Sequence, residues 1–274
     1  MKYIKRPSNE IQTILDLLFK KDKNGKLIFT DCIKNLNEIF LCGANFWKAK
    51  LNKVDFSGAI LSEIDFTETK FFMVDFIEAE LKEVNFLKTA LSDINFWKAN
   101  LSNVDFNETK LNNVIFEKVA LNDINFWKAN LNNVDFNEAK LNNVIFRESE
   151  LSYVDFSYAV LRDVHFYLDS KLSYVNFGGA KLNNVNFGYT KLSDVNFLKA
   201  KLNRVDFSYD TKLNNVNFGK AKFYLVDFTG VTLGEGKVDF VKTVLEGYSF
   251  EEITQEGRSI ELTGNFDNPA EPIL

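Results

Sequence analysis

From Ile39 to Phe166 a large apolar residue recurs at every fifth position, beginning Leu41, Phe46, Leu51, Phe56. Phe and Leu alternate as these centres, with one lapse at Phe71. Two residues before each centre stands a second apolar or small residue, mostly Ala or Thr ahead of Leu and Val or Ile ahead of Phe. The unit therefore pairs Ala with Leu and Val with Phe, with polar positions between. Neither the 3.6-residue period of a helix nor the two-residue alternation of a strand sustains a beat of five. An internal repeat of this kind predicts one elongated domain that grows by stacking. The longest copy, DINFWKANLSNVDFNETKLNNVIF at Asp93 to Phe116, recurs at Asp123 to Phe146 with changes only at Ser102/Asn132 and Thr109/Ala139.

Both ends fall outside the beat. In residues 1–38, Ser8 is an N-cap candidate, and Ile11, Ile14, Leu15 and Leu18 form a helical stripe. This helix is expected to cap the first coil, since an open solenoid end exposes backbone and apolar side chains. Residues 39–250 form the repeat domain. In residues 251–274 the pattern fades, and Ile260, Leu262 and Phe266 are expected to fold over the last coil. Within the domain the beat slips three times. One extra residue lies between Phe166 and Leu172 and another between Phe207 and Leu213, and two lie between Leu233 and Phe240. Such slips are either bulges that redirect side chains near a binding site or insertions tolerated at a surface corner.

Ala99-Asn100-Leu101-Ser102-Asn103 and Ala129-Asn130-Leu131-Asn132-Asn133 resemble, position for position, the A(D/N)LXX motif of the pentapeptide-repeat family. The resemblance implies an all-β fold, a right-handed quadrilateral parallel β-helix with four pentapeptides per coil. The centre (i) and the residue two before it (i−2) point inward. Stacked coils then pair each backbone group with its neighbours about 4.8 Å away, so about ten coils make a rod of about 50 Å. With that geometry Phe46, Phe66, Phe86 and their successors stack on a first Phe face. Phe56, Phe76, Phe96 and theirs stack on the opposite one, and two Leu faces lie between.

Composition narrows the function. The net charge of −5 argues against general affinity for nucleic acid or anionic membrane. Cys32 and Cys42 are the only cysteines, so a reduced, cytoplasmic setting is expected. No run approaches the roughly 20 apolar residues of a membrane span. The single histidine, His165, is expected to face solvent, without the orienting partner and pocket of a general base. No metal-ligand cluster or phosphate loop is present in the sequence, and no catalytic residue, metal or cofactor is expected.

Function is therefore expected on the outward positions i−1, i+1 and i+2. On the first Phe face Lys48, Glu68, Lys88, Glu108, Lys128 and Glu148 should form a ladder of alternating charge. The Leu faces carry lysines at i−1 and asparagine stacks such as Asn112 with Asn132. The first expectation is a non-enzymatic protein-interaction scaffold. Its candidate surface is Tyr153 and Tyr174 on one Leu face, with Tyr167, Tyr189 and Tyr209 climbing the adjacent Phe face beside the two single slips. Cross-coil packing of tyrosine is the other reading of the same residues. The resemblance implies an alternative, because some family members imitate B-DNA, bind DNA gyrase and confer quinolone resistance. Asp65, Asp105, Asp206 and Asp227, at i−1 on the first Phe face, are the candidates for that role. Lysines interleave with the acids, however, and residues 251–274 lack the helical stripe of the dimerising C-terminal helix in those relatives. A third expectation is a structural repeat protein without a tight partner. The partner is thus expected to be a protein, with no direct nucleic-acid or membrane contact, and the chain a monomer or homodimer.

Overall fold

The structure is a computed structural model that describes residues 35–246, together with 254–255 and 258–259. The expected helix after Ser8 and the capping residues Ile260, Leu262 and Phe266 lie outside the described residues. Through residues 35–246 the chain winds as a parallel β-solenoid of about ten turns. Two sheets of eleven strands form two of its sides. The first Leu face begins Phe40–Cys42, Ile60–Ser62, Glu80–Lys82 and ends at Val244–Glu246. The second begins Lys50–Asn52, Lys70–Asp75 and closes with Thr232–Leu233 and Val238–Asp239. Leu61 lies opposite Leu41 on one side and Leu81 on the other, one coil being twenty residues. Where a coil holds an extra residue the register follows it, and Leu151 pairs with Leu172.

The inward set is the one the beat predicts. Beat centres and their i−2 partners from Leu41 to Phe223 are buried as one continuous core. Phe126 stacks on Phe106 at 4.9 Å and on Phe146 at 4.8 Å, with rings tilted by 7° and 1°. Across the interior it meets Phe116 and Phe136 edge-on, at 6.4 and 6.3 Å. The lapse at Phe71 has a visible consequence. Its ring meets Phe66 edge-on at 5.1 Å, and the neighbouring Phe46–Phe66 and Phe66–Phe86 stacks are tilted by 25° and 20°.

Two local devices turn the chain at most of the Phe corners. The residue before Phe is usually Asp or Asn, and its side-chain oxygen accepts the N–H two residues on, as Asp55 does from Ser57 at 2.9 Å. The Phe carbonyl then accepts the N–H three residues on, as Phe56 does from Ala59 at 3.0 Å. The i+2 residue adopts positive φ, as the third position of a type II turn requires. Position i+2 of the Leu units takes the same conformation, from Lys53 (φ 57°) to Leu225 (φ 52°). Lys, Glu, Asn, Asp, Tyr, Met, Leu, Arg and Gly occupy these sites, and no β-branched residue does. The strain of about 1 kcal/mol or more per non-glycine residue is offset by bonds to the next coil. Lys48 N–H, for example, donates to the Thr67 carbonyl at 3.0 Å.

The second Leu face has a further feature. Its i−2 column holds Thr69, Thr89, Thr109, Ser149, Ser170, Thr190 and Thr211, all buried. Their hydroxyls donate to Phe carbonyls, as Thr89 does to Phe86 at 2.7 Å. A polar atom is thus satisfied inside an otherwise apolar column.

Candidate interaction surface

Each corner presents its i+2 side chain outward, so residues twenty or twenty-one apart form columns along the rod. On the first Phe face the expected charge ladder resolves into separate pairs. Lys48 lies 3.5 Å from Glu68, Lys88 3.8 Å from Glu108 and Lys128 3.5 Å from Glu148. Each Trp sits at i+1 with the next lysine over its indole, at 4.2 Å for Trp47–Lys48, 3.9 Å for Trp97–Lys98 and 4.3 Å for Trp127–Lys128. Trp127 also donates its indole N–H to Glu148 at 3.1 Å, and this bond, ahead of Lys128 and Arg147, holds the Glu148 carboxyl below its usual range.

The tyrosines form two stacks, not one climbing row. Tyr153 and Tyr174 lie parallel at 4.9 Å and 3°, at the trailing edge of the second Leu face. They continue a column in which Asn113 donates to Asp93 at 2.9 Å and Asn133 to Asn113 at 2.8 Å. Tyr189 and Tyr209 stack at 5.4 Å and 13° at the leading corner of the same face. Tyr167 stands apart from both stacks. It directly follows Phe166 and so occupies i+1 rather than i+2, while Leu168 and Asp169, both at positive φ, share the corner after it that holds the extra residue. Its ring packs edge-on against His165 at 5.6 Å and lies 5.9 Å from the Arg147 guanidinium. His165, expected in solvent, is accordingly half-buried. The second single slip, at Tyr209 and Asp210, opens a shallow groove of about 380 Å³ lined by Tyr189, Tyr209 and Asp227.

Tyr158 was missed by the sequence reading, although it is the most exposed of these aromatics at 69%. Its ring lies over Gly179, where a Cβ would come within 2.8 Å. A tyrosine at i+2 facing a glycine at i+2 one coil later is the signal that could have found it.

The acidic candidates are partly tucked into the turns. Asp65, Asp105, Asp206 and Asp227 accept N–H groups from Thr67, Asn107, Ser208 and Thr229 at 2.7–2.9 Å. Asp65, Asp105 and Asp206 are half-buried rather than water-facing, whereas Asp227 is exposed. Asn85 separates Asp65 from Asp105 in register, while Asp206 and Asp227 are neighbours. Burial pushes the Asp105 carboxyl above the usual range. On the opposite Phe face burial does the same to Asp75, helped by Asp55, and to Asp135, helped by Asp155 and Glu117. Among the described residues no cluster of His, Cys, Asp and Glu is arranged to hold a metal ion, and no helix is long and apolar enough to cross a membrane.

The family model for the pentapeptide repeat region matches residues 41–116, 69–144 and 119–197. No curated protein matches the chain. Among solved structures, HetL, a pentapeptide repeat protein involved in heterocyst differentiation regulation from the cyanobacterium Nostoc sp. strain PCC 7120, is 23% identical. That match covers 88% of this chain and 98% of HetL at a TM-score of 0.36. QnrB1, a plasmid-mediated fluoroquinolone resistance protein, is 20% identical over 72% of this chain and 92% of its own at a TM-score of 0.37. Rfr23, a pentapeptide repeat protein from the cyanobacterium Cyanothece 51142, is 17% identical over 48% of this chain and 86% of its own at a TM-score of 0.23.

Proposed function

The chain belongs to the pentapeptide-repeat family, and from that footing we propose that it is a non-enzymatic scaffold that binds a protein partner through the second Leu face. The observation that carries this reading is the pair of exposed tyrosine stacks, Tyr153–Tyr174 and Tyr189–Tyr209, on the two edges of that one face. Tyrosine offers large, rigid contact area with a polar tip, and it is enriched where interfaces concentrate their energy. The three slips all border the same face, and one of them falls at Tyr209 itself. Among the described residues the filled interior leaves substrate chemistry no enclosed cleft. We further infer right-handed winding, the sense taken by nearly all crossovers between parallel strands of one sheet. A helical cap within residues 1–38, a repeat domain at 39–250, a C-terminal cap within 251–274 and a cytoplasmic setting complete the proposal.

The test is affinity capture with the wild-type chain and with Tyr153, Tyr174, Tyr189 and Tyr209 changed to Ser. The partner should be lost from the variant but kept by Tyr158→Ser on another corner, with both melting curves unchanged. Equal capture by all three proteins would reject the surface. The DNA-mimic reading has weaker support, because asparagine interrupts the acidic column and the turns engage its carboxylates. Its separate test is a supercoiling assay with purified gyrase, with and without a quinolone. Inhibition or protection that Asp206→Asn and Asp227→Asn abolish would promote it over the scaffold.

A further inference from the structure

The first Leu face differs from the second in two ways. It runs uninterrupted through eleven strands from Phe40–Cys42 to Val244–Glu246, every insertion being routed to the other side. It also separates charge along its length. Residues 171–222 hold nine basic side chains against three acidic ones, a net of +6 in a chain whose net charge is −5, with Lys171, Lys191 and Lys212 of these on the opposite face. On this face Lys181, Lys201 and Lys222 stand in register on adjacent strands. Lys199, Lys201 and Arg204 project from one coil, and among the described residues none of the three forms an ion pair. Toward the other end, Glu78, Glu80 and Glu83 project from a single coil of the same face, with Glu63 one coil earlier. Glu78 and Glu83 have exposed lysine neighbours at 3.6 and 3.5 Å, and Glu63 and Glu80 form no ion pair among the described residues.

We propose that a second copy of this chain docks antiparallel on the first Leu face, the acidic coil of each copy meeting the basic coil of the other. A two-fold axis running along the strand of Leu141 keeps each side chain at its lateral position and reverses its place along the rod. The coil of Leu81 is three coils before Leu141, and that of Leu202 is three coils after. Glu78 therefore meets Lys199, Glu80 meets Lys201 and Glu83 meets Arg204, twice per dimer. One coil from the axis Ala120 meets Val160. Five coils out, the 47%-exposed Phe40 meets Val244. Like charges meet at Lys140, which faces its own copy at the axis and is tempered by Glu138 in the same coil, and where Asp123 meets Asp163 one coil out. Other polyanions, such as a nucleic acid or an acidic peptide, would use the basic coils and leave the glutamates unmatched. A second copy uses both. Ten steps of about 4.8 Å by a width of about 10 Å give about 500 Å² of flat footprint per copy, near the lower limit of a specific interface. Charge matching then decides whether the pair forms, and the dimer should be sensitive to salt.

Sedimentation equilibrium of the full chain tests this. Wild type should dimerise at low salt, with a dissociation constant that rises about tenfold or more between about 50 and about 500 mM salt. The triple variants Lys199→Glu/Lys201→Glu/Arg204→Glu and Glu78→Lys/Glu80→Lys/Glu83→Lys should each be monomeric. Both residue types already occupy positive-φ corners throughout the chain, so the turns accept them. An equimolar mixture of the two variants should recover the dimer, since each reversed residue again meets an opposite charge, and a misfolded variant would not recover it. A wild-type monomer at all salt concentrations, a dimer indifferent to either reversal, or a mixture that stays monomeric would each overturn the proposal. A wild-type monomer that instead binds polyglutamate or single-stranded DNA would reassign the basic coils to a different partner.

Discussion

Replacing Phe126 by leucine keeps a branched apolar side chain in the middle of the first Phe ladder but removes its ring. The wild-type ring has two parallel neighbours, Phe106 and Phe146 at 4.9 and 4.8 Å, and two edge-on neighbours, Phe116 and Phe136 at 6.4 and 6.3 Å. Aromatic pairs contribute roughly 0.5–1.5 kcal/mol each beyond burial. Even at the low end, losing four of them costs about 2 kcal/mol, before the small void left by a shorter side chain. Phe126→Ala adds a cavity with rigid walls and should cost about 4–5 kcal/mol. Phe56 is the internal control. It is equally buried, but it has one parallel neighbour, Phe76 at 5.1 Å, and one edge-on neighbour, Phe66 at 6.4 Å. Phe56→Leu should therefore cost about half as much as Phe126→Leu. Guanidinium and thermal unfolding followed by circular dichroism give both numbers, with the denaturant slope checking that cooperativity is unchanged. Equal costs at positions 56 and 126, or a neutral Phe126→Leu, would mean that the rings contribute burial alone.

Two further outcomes follow from the corners. Met73 has a φ of 52°, so Met73→Val should lose about 1–2 kcal/mol to backbone strain while Met73→Gly stays neutral or gains, read as a difference in melting temperature. Burial raises the Asp105 carboxyl in the folded chain, so the folded state binds its proton more readily than the unfolded one. Stability from this group is then gained as pH falls from neutrality into the raised range, and lost as pH rises through it. Asp105→Asn keeps the acceptor for the Asn107 N–H and matches Asn85 and Asn125 in the same column, so it should raise the melting temperature at pH 7 and flatten its pH dependence. A lower melting temperature at pH 7 would refute the burial argument.

How much of this was legible depended on which side of the wall a residue faces. The interior is dictated by volume and apolarity, so the spacing of Phe, Leu, Val and Ala marked the inward positions, and the four-per-coil geometry implied by the family resemblance arranged them into ladders and two Leu faces. The outside depends on turn detail that spacing does not carry. Aspartates before Phe read as water-facing, yet the turn draws them against the backbone, and all three raised carboxyls occupy such sites. Tyr167 read as the third rung of a row, but it stands at i+1 of Phe166, whereas Tyr189 and Tyr209 stand at i+2 of their centres. The alternating ladder on the first Phe face closed into separate pairs because each lysine also lies over a tryptophan or reaches one glutamate only. The net charge was the least informative figure, since −5 averages a basic segment of +6 with an acidic remainder.

The duplicated stretch shows why a repeated motif here is not a repeated site. Its copies start thirty residues apart, one coil and a half, so Trp97 lies on the second Phe face and Trp127 on the first. Each indole keeps its own lysine, at 3.9 and 4.3 Å. What duplication carries along is the chemistry of a single corner. A face is different, because it is assembled from residues twenty or twenty-one apart, and copying by thirty scatters it to opposite sides of the rod. Columns that hold one chemistry over successive coils must therefore be built coil by coil. Tyr153–Tyr174, Tyr189–Tyr209 and Lys181–Lys201–Lys222 are such columns, and all lie beyond the duplication. Binding is to be sought on those columns, on the two opposite Leu faces, and the tyrosine and charge-reversal variants address one face each.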